Sequence, residues 1–124
     1  MNKERMSRNH HSMSEQELYK AYKIFFGTLV SHSRLRILNL LRTGRKNVSE
    51  IMHTLNRDQT AVSHDLARLK RCGFVTVSVE GKYRYYRLHE KTIAPLMGLI
   101  EDHMSHHCIH ILHGMKGGHT HGTH

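Results

Sequence analysis

The chain is poor in residues that would brace it covalently or hold it in a membrane. Its 124 residues include two cysteines, one proline and no tryptophan. Two cysteines cannot build a disulfide framework, which excludes the small secreted domains held together by several bridges. No apolar run approaches the roughly 20 residues that cross a bilayer, and the polar N-terminus lacks the apolar core of a signal peptide. We therefore expect a soluble, cytoplasmic protein.

Acidic residues are also scarce, and the charge is unevenly distributed. The chain has 19 Lys and Arg against 10 Asp and Glu, a net charge of +9. Residues 1–91 hold 18 of the basic and eight of the acidic side chains, whereas residues 92–124 hold one and two. A basic surface confined to one part of the chain is typical of a protein that binds the phosphates of nucleic acid. Histidine is abundant instead: eight of the 14 lie in the last 22 residues.

The stretch from residue 58 to residue 88 changes its hydrophobic period. Val62, Leu66 and Leu69 recur at helical spacing, whereas apolar and polar residues alternate from residue 75 onward, as in a β-strand. Glu80-Gly81 favours a turn between two strands. A helix therefore runs into a basic β-hairpin. The outer face of that helix is small, polar and partly basic: Thr60, Ser63, His64, Ala67 and Arg71.

A shorter helix is predicted just upstream. Asn47 can cap it and Glu50 can bond back to the cap, and the helix ends near Leu55-Asn56. Two helices joined by a tight turn and followed by a basic hairpin predict a helix-turn-helix with a wing, which suits the major groove and the neighbouring backbone of DNA. The alternative is a solvated helix and an ordinary hairpin. The predicted DNA-binding residues are Gln59, Thr60, Ser63, His64, Arg68, Arg71, Lys82 and Arg84.

The rest of the chain divides into three parts. Residues 1–13 are polar and without period, and we expect them to be disordered. Residues 14–113 form the folded domain, with helices predicted from the Ser14 capping box to about Val30, over residues 32–43, and over residues 90–113. Pro95 either kinks the first turns of this last helix or marks its start. Residues 114–124 are predicted to be a flexible Gly/His tail.

Histidines dominate the last predicted helix. They recur at helical spacing along one side, as nitrogen ligands for one or two metal ions should: His103, His106, His107, His110 and His113. The alternative is a polar helix end with incidental histidines, or histidines packed in the core. Histidines 119, 121 and 124 could scavenge metal loosely or be a cloning remnant, although their irregular spacing favours native sequence.

The order of helices, wing and final helix resembles the ArsR/SmtB family of winged-helix metalloregulators. The motifs that carry the resemblance are Arg34–Leu38, Gln59–Leu69, Cys72–Val75, Glu80–Lys82 and Tyr85–Leu88. It implies a mostly helical α+β fold and a homodimer, joined by the first and last helices, that reads an inverted repeat of double-stranded DNA. It also implies that binding of an effector releases the DNA.

The resemblance further implies a metal site shared between protomers. Its usual positions fall on Glu90, Thr92, His103 and His106. Threonine is a poor metal ligand, so another histidine is expected to complete the set. The predicted metal ligands are His89, Glu90, His103, His106, His107 and His110. A set of nitrogen and oxygen ligands without thiolate suits zinc at four-coordination, or nickel or cobalt with more ligands.

Two features depart from the family pattern. Asp65 stands where the family usually has histidine in the recognition helix, and it could contact a cytosine or face inward. The helix before it has no cysteine over Val48–His53, which argues against an arsenic-type site there. Cys72 and Cys108 could form a redox pair or be structural.

Three functions fit these observations. The first is a metal-responsive DNA-binding repressor, and the second is a repressor that responds to thiol chemistry at Cys72 and Cys108. The third is a metal chaperone or storage protein, against which the segregated basic charge and the wing speak. We expect no enzyme, because no nucleophile–base set or glycine-rich phosphate loop stands out.

Overall fold

A computed structural model of the chain describes residues 12–121, and their side chains up to residue 114. The segment predicted to be disordered lies almost wholly outside these residues. The elements in chain order are α1 (Glu15–Leu29), α2 (His32–Leu41), β1 (Lys46–Asn47), α3 (Val48–Leu55), α4 (Gln59–Arg71), β2 (Val75–Glu80), β3 (Tyr83–Leu88), α5 (Ile93–His106) and α6 (Cys108–His121). The predicted succession of four helices, a hairpin and a further helix is confirmed.

Side-chain caps begin α1, α3 and α4, and the first two are those that the sequence predicts. The Glu50 amide donates to Asn47 Oδ1 at 2.8 Å and the Asn47 amide donates to Glu50 Oε1 at 2.9 Å, which closes the expected capping box of α3. Ser14 and Glu17 form the same pair at α1. Asp58 caps α4 by accepting the Ala61 amide at 2.8 Å. These caps fix the residues at which the three helices begin.

The β2–β3 hairpin, called the wing below, forms a three-stranded antiparallel sheet with β1. Its strand order is β1-β3-β2, and β2 pairs with β3 from Val75 opposite Leu88 to Glu80 opposite Tyr83. Gly81 closes the hairpin at φ +64°, a conformation that costs glycine little. Because β1 leads directly into α3 and pairs with β3, the wing is fixed to the helix-turn-helix.

The hydrophobic core lies where α2, α3, α4 and the base of the wing meet. Val62, Leu66 and Leu69 are buried there, so α4 turns its apolar stripe inward as predicted. Phe74 is 1% exposed and stacks on Phe25 of α1 with ring centroids 4.9 Å apart. Each fully buried side chain of this kind contributes about 1.5–3 kcal/mol. The packing fixes the rotation of α4 and thereby the residues on its outer face.

The last helix differs from the prediction. It begins at Ile93 rather than near residue 90, with Pro95 in its first turn, where a missing amide hydrogen costs nothing. It ends at His106, because His107 has φ −127° and ψ −68° and leaves the helical conformation. A second helix, α6, then runs to His121 and includes residues 114–121, for which the sequence predicts a flexible tail. None of the helices over residues 12–121 is long and apolar enough to cross a membrane.

Candidate nucleic-acid interface and effector site

The outer face of α4 carries the predicted base-reading side chains. Val62, Leu66 and Leu69 hold the opposite face in the core. Arg68, near the end of the helix, is half-buried, and the remaining predicted residues of α4 are exposed: Gln59, Thr60, Ser63, His64 and Arg71. The structure therefore brings these residues to one accessible helix surface. Their contact with DNA stays a prediction.

The tip of the wing is basic and exposed. Lys82 and Arg84 both lie at the surface, and Lys82 Nζ is 5.5 Å from the centroid of the Tyr83 ring. In the part of the chain that the structure describes, neither side chain forms an ion pair. Arg45, by contrast, already has partners in the structure: its guanidinium pairs with Glu80 and lies 4.1 Å from the centroid of the Tyr85 ring. Lys82 and Arg84 are thus the wing cations best placed to meet phosphates.

Asp65 faces inward from α4, which decides between its two predicted orientations. The residue is 5% exposed, and Oδ2 accepts hydrogen bonds from Ser33 Oγ at 2.7 Å and Arg57 Nη1 at 2.8 Å. Arg34 Nη1 lies 3.8 Å from Oδ1. Burial acts to raise the pKa of this carboxyl, but the hydrogen bonds and the two guanidinium charges outweigh it and hold the pKa below its ordinary value. Asp65 is therefore ionised at neutral pH and turned away from the surface that would meet the bases.

Sequence reasoning missed the partners of Asp65. Its position carried a signal, because it lies three residues after Val62 and four before Leu69, on the inward face of α4. A carboxylate on that face needs a buried partner. The sequence did not show that Ser33 and Arg34 in α2 and Arg57 in the α3–α4 turn would supply one, since those contacts depend on how the helices cross.

The predicted metal ligands fall into two separate groups. Glu90 lies between the wing and α5, where it pairs with Arg87 at 3.3 Å, and His89 Nδ1 lies 3.1 Å from Thr92 Oγ1. His103 lies about 15 Å from Ile93 along the axis of α5, at a rise of about 1.5 Å per residue. Among the side chains that the structure describes, those of residues 12–114, no three of His, Cys, Asp or Glu lie close enough to hold a metal ion. One protomer alone thus does not assemble the predicted set.

The histidines at the end of α5 lie close together and are exposed. The His103 and His107 rings stack with centroids 4.4 Å apart. His106 Nδ1 is 2.9 Å from the Asp102 carbonyl oxygen, and because a carbonyl only accepts, Nδ1 carries the proton and Nε2 is left as a possible ligand. The break at His107 places His110 in α6, so the five predicted histidines do not share one helix.

Both cysteines are free thiols in different surroundings. Cys108 is exposed at the start of α6, whereas Cys72 is half-buried at the end of α4. Thr28 Oγ1 donates to Cys72 Sγ at 3.4 Å. Burial acts to raise the pKa of the Cys72 thiol, but this hydrogen bond and the guanidinium of Arg68 outweigh it, and the pKa lies below its ordinary value.

A short helix, a tight turn, a second helix with an exposed polar face and a basic two-stranded wing define a winged helix-turn-helix DNA-binding domain. Comparison with known proteins identifies the family. Residues 31–77 match the model of the bacterial regulatory protein, arsR family. The HTH-type transcriptional regulator NmtR of Mycobacterium tuberculosis is 32% identical over 91 residues, 73% of this chain and 72% of NmtR. The chain belongs to the ArsR family of DNA-binding transcriptional regulators, which is not a family of enzymes.

Two further proteins are similar to parts of the chain. The homodimeric winged helix-turn-helix DNA-binding domain of Mb0332 from Mycobacterium bovis superimposes with a TM-score of 0.69 at 28% identity, covering 77% of this chain and 91% of that one. The arsenic resistance transcriptional regulator ArsR1 of Pseudomonas putida is 36% identical over 67 residues, 53% of this chain and 52% of that protein.

Proposed function

We propose that this regulator is a homodimeric repressor that leaves its operator when a divalent metal ion binds histidines at the end of α5. The observation that carries the proposal is the pair His103 and His106. They lie one helical turn apart and are exposed, and the Asp102 carbonyl holds the His106 ring with Nε2 free.

The chemistry of the donors fits a divalent cation. Imidazole nitrogens and a carboxylate without thiolate suit zinc in a four-coordinate site, and nickel or cobalt with more ligands. Glu90 is a suitable oxygen donor because its side chain is 74% exposed and its ion pair with Arg87 is a surface contact that exchanges readily. His107 and His110 are further donors at the α5–α6 junction.

The separation of the donors requires a second protomer. Glu90 precedes α5 and His103 lies near its C-terminal end, so in the proposed dimer the two residues meet where the α5 helices of two protomers run antiparallel about a two-fold axis. The ligand set proposed here takes His103 and His106 from one protomer and Glu90 with His89 from the other. A metal ion held by such a set would link the two protomers at two symmetric places.

The apolar surface of α1 supports the dimer. Tyr22 is 49% exposed and Phe26 is 56% exposed, and their rings stack with centroids 6.1 Å apart. Leu99, on α5, is 68% exposed. A monomer would leave these side chains in water, whereas a second copy could cover both helices. The ArsR relative from M. bovis described above as homodimeric has the same fold.

Release of DNA follows if the metal-bound dimer holds its two α4 helices at the wrong spacing. Both helices must reach successive major grooves of an inverted repeat, so their separation is fixed by the DNA. Metal and DNA then favour different geometries of one dimer, and each weakens binding of the other.

A thiol-responsive repressor is the second candidate. The observation that favours it is the environment of Cys72. Its contacts with Thr28 and Arg68 lower the pKa of the thiol and so increase the fraction of Cys72 that is present as the reactive thiolate. Cys108 is exposed and could be a second reactive thiol. Metal binding is preferred because it uses the histidine cluster, which thiol chemistry leaves unexplained.

A parallel titration distinguishes the two candidates. Fluorescence anisotropy of a labelled duplex, selected by the protein from random DNA, is followed while zinc, nickel, cobalt or hydrogen peroxide is added. The metal mechanism predicts release by at least one metal and no release by peroxide in the presence of a chelator. Release by peroxide alone would favour the thiol mechanism instead.

A further inference from the structure

Arg34 joins three helices through one side chain. Its Nε donates to the Thr28 carbonyl oxygen at 2.9 Å and Nη2 donates to the Gly27 carbonyl oxygen at 3.3 Å, so it caps the end of α1. Its Nη1 lies 3.8 Å from Asp65 Oδ1 in α4. The side chain itself comes from α2 and is only 14% exposed. A guanidinium can make these contacts together because its donors point in fixed, different directions.

The last turn of α1 also contacts the far end of α4. Thr28 is fully buried, and its hydroxyl lies 3.4 Å from Cys72 Sγ. Phe25, one turn earlier, stacks on Phe74, which follows α4. The end of α1 is thus linked to the middle of α4 through Arg34 and to its C-terminal end through Thr28 and Phe25.

We infer that Asp65 and Arg34 are positioning residues for DNA reading: through them the end of α1 sets the rotation of α4, and with it the direction in which Ser63 and His64 point. Both oxygens of the Asp65 carboxylate face partners on other elements, Oδ1 facing Arg34 and Oδ2 bonded to Ser33 and Arg57. A carboxylate held in this way from two sides admits one rotation of its helix.

Stability alone does not explain a carboxylate at this position. Buried ion pairs contribute little net stability, because removing two charges from water costs about as much as their attraction returns. The neighbouring positions of the inward face are apolar and well packed: Val62, Leu66 and Leu69. A directional contact adds what apolar packing does not, namely a defined angle between α4 and the elements around it. This inference rests on DNA binding by α4 and is independent of the proposed metal site.

The test compares sequence preference rather than affinity alone. The full chain and its Asp65→Asn variant are titrated, without metal, against a duplex selected by the wild type from random DNA and against a scrambled duplex of equal composition. The asparagine side chain has nearly the same shape as that of aspartate but carries no charge. The ratio of the two affinities should fall about tenfold, the size of one lost base contact. Circular dichroism establishes that the helices remain folded.

Asp58→Asn is the matched control. It makes the same chemical change on an exposed residue at the start of α4, and asparagine caps a helix as well as aspartate does. This control should change both affinities by the same factor, because it removes one negative charge without loosening α4. A ratio that falls equally in the control would overturn the inference.

Arg34→Lys tests the other side of the contact. Lysine keeps the charge but cannot donate to the α1 carbonyls and reach Asp65 together. Its affinity ratio should fall as in Asp65→Asn, and the double variant should be no worse than either single one, because both remove one connection. If Asp65→Asn unfolds, Ser33→Ala with Arg34→Lys takes its place. A folded variant whose ratio stays within about twofold of the wild type contradicts the inference.

Discussion

Asp65 of α4 forms a 2.8 Å ion pair with Arg57, which lies in the turn between α3 and α4. The contact ties the turn of the helix-turn-helix to the inward face of its second helix. Because the same carboxylate also accepts from Ser33 in α2, one charged side chain connects α2, the α3–α4 turn and α4. Its protonation state therefore matters for the fold.

Acid should remove the stabilisation that Asp65 provides. Its folded-state pKa is lowered, so the contribution is complete above the ordinary carboxyl pKa of 3.8 and is lost as the pH falls through the lower folded value. Urea unfolding at a series of pH values should show a smaller acid-induced loss in Asp65→Asn than in the wild type. Equal losses would mean that the carboxylate is not preferentially stabilised in the folded state.

Truncation of the same side chain should be costly at neutral pH. Asp65→Ala leaves the charges of Arg34 and Arg57 without their partner and should lower the free energy of unfolding by about 2–3 kcal/mol. This lies below the cost of a fully buried charge because the Arg57 side chain is 23% exposed. Urea unfolding at pH 7 gives the value, and a change below about 0.5 kcal/mol would contradict the buried network.

Charge removal at the wing should weaken binding to every DNA sequence alike. Lys82→Ala or Arg84→Ala should each reduce the slope of log K against log salt by about 0.9, provided that each side chain neutralises one phosphate. Ser63→Ala should instead change the preferred sequence. Lys20→Ala, an exposed lysine on α1, serves as the control and should leave the slope unchanged. An affinity that is flat with salt in the wild type would exclude the electrostatic interface.

The fold could be predicted from sequence because its signals are local. Caps such as Asn47 with Glu50, the apolar stripe of α4 and the alternation after residue 75 each depend on residues close in the chain, and the structure reproduces all three. The break at His107 could not be predicted, because the histidine spacing on both sides of it is compatible with one continuous helix.

The site was less predictable than the fold, since its contacts join distant segments. Asp65 meets Ser33 from 32 residues away, and neither residue type indicates the other. The exposed residues of α4 could be assigned because the opposite face is apolar. The metal ligands could be proposed only from their residue types, because Glu90 precedes α5, His103 lies near its C-terminal end, and the proposed site brings them together only in a dimer.

Disruption of the apolar face of α1 should shift the protein toward monomer. Phe26→Asp introduces a charge beside Tyr22, where the proposed partner helix packs, and so opposes burial of the face. Sedimentation equilibrium should show a lower apparent mass than for the wild type at equal concentration. Val79→Asp makes the same kind of change at a wing residue that is 64% exposed and should leave the mass unaltered. A Phe26→Asp protein that stays dimeric would exclude α1 from the interface.

Loss of both thiols should leave the metal response intact. Cys72→Ser with Cys108→Ser removes the thiolate ligands and preserves every proposed nitrogen and oxygen donor. Metal should still release the labelled duplex with a midpoint close to that of the wild type. A lost response, together with a thiolate charge-transfer band in the cobalt-bound wild type, would assign sensing to the cysteines.

The most direct test of the proposed regulator is metal-dependent DNA release by the variant His103→Ala with His106→Ala. Anisotropy of the labelled operator duplex is measured with and without zinc, nickel or cobalt, and removal of residues 115–124 and His113→Ala serve as controls. We expect the double variant to bind DNA as tightly as the wild type without metal and to remain bound when metal is added, while both controls still release it. Release by the double variant, with none after the truncation, would place the sensing site in the last ten residues and contradict the account.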